Sequence, residues 1–123
     1  MKLFERSAVE LNAALRKREI SAREVLLDHF ARIDEVEPEI RAFTNQTRER
    51  AIEQADAVDG MLQRGEELSP LAGIPLALKD NLCTEGVRTT CSSRMLEHFV
   101  PPYDATVVRL LREQGVVFLG KAN

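Results

Sequence analysis

An almost unbroken apolar run, Leu71-Ala72-Gly73-Ile74-Pro75-Leu76-Ala77-Leu78, ends without transition in Lys79-Asp80-Asn81. Apolar residues that do not alternate with polar ones are the pattern of a strand buried on both faces, which is typical of sheets covered by helices. The run therefore predicts an α/β fold. Pro75 has no amide hydrogen to give to a sheet, which places it at an edge or a bulge. The lysine at the end is the residue to explain. Burial penalises its ammonium form, so a fold keeps a lysine there only with a partner or a chemical task. Read alone, Lys79 is better explained by an ion pair with Asp80 or another carboxylate than by catalysis.

The rest of the chain supplies the helices. Ser7-Ala8-Val9-Glu10 and Ser21-Ala22-Arg23-Glu24 fit the capping box, in which serine and glutamate satisfy each other's free amides. Leu11 and Leu15 recur at helical spacing after the first box. Leu26, Phe30 and Ile33 follow the second, and Pro38 is expected to close that helix. Ile40-Arg41-Ala42-Phe43-Thr44 alternates as a short strand does. A third helix places Ala51, Ala55, Val58 and Leu62 on one stripe and fades at Gly65. Beyond the apolar run, residues 84–93 are small and polar and read as loops. Asp104 can cap a last helix whose inner stripe is Val107, Leu110 and Leu111 and which ends at Gly115. Residues 116–119 form a second apolar strand. Helix followed by buried strand, twice over, calls for some parallel pairing.

Charge and cysteine content narrow the function classes. Seventeen basic against twenty acidic residues leave a net charge of −3, so no global field points to nucleic acid or an anionic membrane. No apolar run reaches membrane-spanning length, and the opening residues have no signal core. Cys83 and Cys91, without a second pair, form neither a disulfide framework nor a zinc site. A soluble, reducing, cytoplasmic setting is expected. Arg16-Lys17-Arg18 spreads around a helix and reads as a solvated face. His29 and His98 have no metal partner at ligand spacing. Ser92 and Ser93 read as turn or cap residues.

Gly73-Ile74-Pro75 through Lys79-Asp80-Asn81, continued by Thr89-Thr90-Cys91-Ser92-Ser93 and Gly120-Lys121-Ala122-Asn123, resembles the amidase signature family. Residues 79–91 and Pro101-Pro102-Tyr103-Asp104-Ala105-Thr106-Val107-Val108 resemble its branch of glutamyl-tRNA(Gln) amidotransferase A subunits. The resemblance implies an α/β fold with N-terminal helices and a mixed sheet, and a Ser–cis-Ser–Lys mechanism in which Lys79 accepts the proton. A lysine acts as a base only when neutral, which needs a fall of ~3 pKa units from 10.4, or roughly 4 kcal/mol. The family's nucleophile, bridging serine and oxyanion amides lie in a glycine- and serine-rich segment beyond Asn123. Ser92 and Ser93 match neither serine.

Residues 1–123 are thus expected to be the N-terminal segment of an amidase-signature domain, cut at Asn123 and inactive alone because the largest contributions to amide cleavage are missing. Ala122 stands where the family more often has threonine. The resemblance further implies glutamine as substrate, partner subunits B and C, and tRNA reached only through the complex. ATP and magnesium belong to that complex, and this segment is expected to bind no cofactor or metal. Two rivals stay open: another amidase-signature hydrolase acting on small amides, and a short partner-binding protein without catalysis, the latter motivated by the Met1 start and well-capped helices.

Overall fold

A computed structural model describes residues 2–123; Met1 lies outside the described residues. The chain order is α1 (Ala8–Arg16), α2 (Ala22–Ile40), β1 (Phe43–Gln46), α3 (Arg48–Gln63), β2 (Pro75–Lys79), α4 (Thr106–Glu113) and β3 (Val117–Ala122). Both predicted capping boxes form. Ser7 accepts from the Glu10 amide and Ser21 from the Glu24 amide, and each glutamate reaches back to its serine's amide.

Pro38 does not close α2. It sits in the last turn, and the helix continues to Ile40. The stop comes three residues later, where Arg41 turns left-handed with φ 52° and its amide bonds Glu37 O. The Glu37 carboxylate then accepts from the amides of Ala42 and Phe43, both at 2.8 Å, turning the chain into β1. That strand consequently starts at Phe43, and Ile40 is helical.

The sheet is mixed, with order β1-β3-β2. β1 runs antiparallel to β3 and β2 runs parallel to it. β3 is the strand packed on both faces. Val117 and Leu119 join Leu15, Leu26, Ala51 and Ala55 in the larger core, formed with α1 to α3. Phe118 joins Leu78, Val108 and Val116 in the smaller one. β2 differs from the expectation for residues 71–78. Only residues 75–79 are strand, the strand lies at a sheet edge, and Ala77 and Lys79 are exposed. Pro75 fits because it begins that edge strand, and a bulge follows between Leu76 and Ala77.

The last helix is turned in part from the expected face. Leu111 packs on the smaller core as expected and Val108 is buried, whereas Val107 and Leu110 are 44% and 49% exposed. Asp104 does not cap α4; Ala105 is its N-cap residue, without a side-chain bond. α3 matches its expected stripe at Ala51, Ala55 and Val58.

Where β1 crosses the bulged part of β3 there is room only for glycine. A Cβ on Gly120 would collide with the Asn45 carbonyl and come within 2.9 Å of Gln46 Cα. Both neighbours are backbone and cannot swing away. Gly120→Ala is therefore expected to cost about 1–3 kcal/mol, as overpacking does. A urea midpoint equal to wild type would contradict this packing.

Candidate active site

Lys79 is the final residue of β2 and pairs in register with Ala122 of β3. Its predecessor Leu78 pairs with Lys121. Because successive side chains alternate, Lys79 points to the face opposite Leu78 and Lys121. The two lysines leave the sheet in different directions and meet different surroundings. Lys79 is exposed rather than poorly solvated as the sequence predicts, at the end of a strand that lies at the sheet edge.

Lys121 is 1% exposed. Its ammonium donates to Leu82 O at 2.6 Å, Thr84 Oγ1 at 2.9 Å and Thr89 Oγ1 at 2.9 Å. An Asp80 carboxylate oxygen lies 3.9 Å away. Burial pulls this ammonium below the ordinary lysine range, and the Asp80 charge works against the shift. The buried lysine with a carboxylate partner, expected from the sequence at Lys79, is thus Lys121. The sequence places Lys121 after the strand, whereas β3 runs through it to Ala122. The available signal was the glycine of Gly120, which reads as a bulge inside a strand as readily as a stop after one.

Asp80 matches its expected role as a loop former. Its amide donates to Ala122 O at 2.8 Å and its carbonyl accepts from the Cys91 amide at 2.7 Å. Its carboxylate, 1% exposed, accepts from both the amide and the hydroxyl of Thr90. One residue therefore closes both ends of the loop that leaves Lys79 and returns at Cys91. Cys91 and Ser92 follow with left-handed φ of 52° and 56°, uncommon for residues with a Cβ. The Ser92 hydroxyl bonds the Asn123 side chain, and Ser93 caps a short turn by accepting from the Met95 amide. Lys79, with its amine exposed, ends β2 at this end of the sheet, and the Ser92 hydroxyl and Asn123 carboxamide are bonded to each other at the end of β3. An amine and a hydroxyl are groups able to move a proton, and a carboxamide can hold an amide.

Other candidates lie elsewhere. Cys83 is partly exposed beside the Tyr103 hydroxyl at 3.6 Å, and both cysteines are free. His29 Nδ1 contacts Val25 O within its own helix, and His98 is exposed. Arg16 and Arg18 are not merely solvated. Arg16, at the end of α1, donates to the carbonyl of Leu68 in the chain after α3, and Arg18 donates to that of Leu62 in the last turn of α3.

Asp104 anchors the far side of the loop. Burial by itself would raise its pKa. Bonds from the Arg112 guanidinium and the Glu85 amide outweigh that and hold it below the usual carboxylate range. The resulting stabilisation is complete above the unfolded value of about 3.9 and is lost as pH falls through the lower folded value. Asp104→Asn should therefore flatten the fall in stability as the pH drops below about 5. A variant whose acid limb matches wild type would show that the pair contributes nothing.

The sequence model described as Amidase matches residues 24–123. The A subunit of the glutamyl-tRNA(Gln) amidotransferase of Moorella thermoacetica is 56% identical over 123 residues, covering 100% of this chain and 25% of that protein. Its counterpart in Synechococcus sp. strain WH7803 is 63% identical over 105 residues, covering 85% of this chain and 22% of that protein. Among solved structures, the native peptide amidase of Stenotrophomonas maltophilia superposes with a TM-score of 0.90 at 33% identity, over 97% of this chain and 25% of that one. A structure described as a vestigial complex revealing the origins of an s-triazine catabolic enzyme gives 0.92 at 38% identity, over 96% and 26%. The chain spans about a quarter of the length of the curated relatives it matches.

Proposed function

The chain belongs to the Amidase family, and from that premise we propose that it forms the N-terminal part of the glutaminase subunit of a tRNA-dependent amidotransferase, with Lys79 as the catalytic base. The likeness to amidotransferase A subunits over the whole chain supports this reading. In the reaction, glutamine loses its side-chain amide as ammonia, which passes to glutamate esterified to tRNA. A serine attacks the amide carbon while a second serine relays that serine's proton to Lys79, the proton then goes to the departing ammonia, and water hydrolyses the acyl-serine to release glutamate. Both serines belong to the family's glycine- and serine-rich segment, so residues 1–123 alone release no ammonia.

The complex works in the cytoplasm with subunits B and C, and ATP and magnesium belong to the partners' share of the reaction. No helix of the described residues is long and apolar enough to cross a membrane. The described residues also offer no group of three or more histidine, cysteine or acidic side chains able to hold a metal.

The test is ammonia release by the intact protein, purified with its partner subunits, from glutamine, from small aliphatic amides and from a C-terminally amidated peptide. The reading predicts preference for glutamine. Preference for the peptide amide would favour the other branch of the family, towards which the likeness to peptide amidase points.

A further inference from the structure

Lys121 and Asp80, each 1% exposed, are the most deeply buried charged side chains among the described residues, and amide cleavage as proposed above does not use Lys121. Its Nζ has three oxygen neighbours within hydrogen-bond reach, Leu82 O, Thr84 Oγ1 and Thr89 Oγ1. Leu82 O can only accept, and the two hydroxyls also reach the carbonyls of Leu82 and Val87 at 3.1 and 3.0 Å. An ammonium, with three protons and the Asp80 carboxylate 3.9 Å away, meets all three contacts while both hydroxyls keep their carbonyl bonds.

These contacts converge on the loop that begins at Lys79. Leu82, whose carbonyl takes the shortest of them, donates its own amide to Lys79 O at 3.1 Å. Thr84 and Thr89 lie within the same loop, and Asp80 closes its ends. The route from the ammonium to the Lys79 backbone is thus a single residue long. We propose that Lys121 is a positioning residue, a fixed ammonium that locks the residue 80–91 loop onto the central strand and thereby holds the Lys79 backbone in register. Two lysines on adjacent strands divide the work: one ties the loop down from inside the sheet so that the other is held at its end.

This inference rests on Lys79 being the base, so its test needs readouts that separate the two claims. Lys121→Met, which keeps length but removes charge and donors, is made in the intact protein beside Thr89→Val, which removes one acceptor. Leu26→Ala, in the helical core, serves as a control for lost stability alone. Rates are taken per folded molecule from glutamine. Lys121→Met should lower kcat about 10- to 100-fold, the scale of a displacement near 1 Å at the reacting groups, with KM nearly unchanged. Thr89→Val should move kcat the same way by less, and Leu26→Ala should leave it at the wild-type value. A Lys121→Met protein that melts earlier but keeps wild-type kcat overturns the proposal.

If wild type itself releases no ammonia, the functional reading fails and hydrogen exchange decides the inference. In Lys121→Met the amides of Asp80 and Leu82 should exchange about 100-fold faster while α2 amides do not change, as expected for local opening. Unchanged protection at Asp80 and Leu82 would overturn it.

Discussion

In the intact protein, Lys79→Ala is expected to lower kcat for ammonia release by about 10²- to 10⁴-fold, the contribution of a positioned general base. Its melting temperature stays within a few degrees of wild type. Both halves of that expectation come from the same strand. Lys79 ends an edge strand with its side chain exposed, so truncating it removes no core contact within residues 2–123. Its backbone bonds, to the Leu82 amide and through the β2–β3 ladder, survive any side chain. A large loss of rate without a loss of stability separates a chemical role from a structural one. A variant that unfolds early while keeping its turnover would invert the assignment of the two lysines.

Asp80→Ala should do the opposite and destabilise the fold by about 3–5 kcal/mol, the cost of removing one member of a buried charge pair. Asp80 is 1% exposed, and its carboxylate, 3.9 Å from Lys121 Nζ, holds the Thr90 amide and hydroxyl. Truncation leaves the ammonium buried with neutral partners only and unties the loop at Thr90. Asp80→Asn, which retains the shape and an acceptor oxygen, should cost less. The free energy of opening at the β3 amides, read by hydrogen exchange in the intact protein, measures both. A loss below about 1 kcal/mol, the scale of an exposed pair, would mean that solvent reaches this pair.

Local chemistry was legible in the sequence wherever one residue type decides the outcome. Ser7 and Ser21 had to cap because their glutamates stood three residues on, and Pro75 had to seek an edge because it lacks a donor. The alanine stripe of α3 had one inward face. Where two frames competed, tertiary packing chose between them. Val107-Val108 and Leu110-Leu111 are adjacent apolar pairs, so either member of each pair can face inward, and packing against Phe118 selected Val108. Pro38 read as a stop because proline breaks helix interiors, but α2 ends only at the left-handed Arg41 and its Glu37-capped turn.

The candidate site divides in the same way. Lys79 and the ends of its loop were visible as motifs. Lys121 was not, because its burial depends on Thr84 and Thr89 returning over β3 from some 30 residues away in the chain. Asp104 read as a cap, yet pairing with Arg112 and the Glu85 amide took its carboxylate elsewhere.

The most direct test of the account replaces Lys79 with arginine, which keeps the positive charge but stays protonated at any working pH. Ammonia release from glutamine is followed in the intact protein, beside glutamine binding measured by calorimetry. The account predicts that Lys79→Arg binds glutamine and releases no ammonia above background, because a base that cannot lose its proton cannot accept one. Wild-type turnover in Lys79→Arg would show that Lys79 supplies only charge, and the assignment of this strand-end lysine as the base would be wrong.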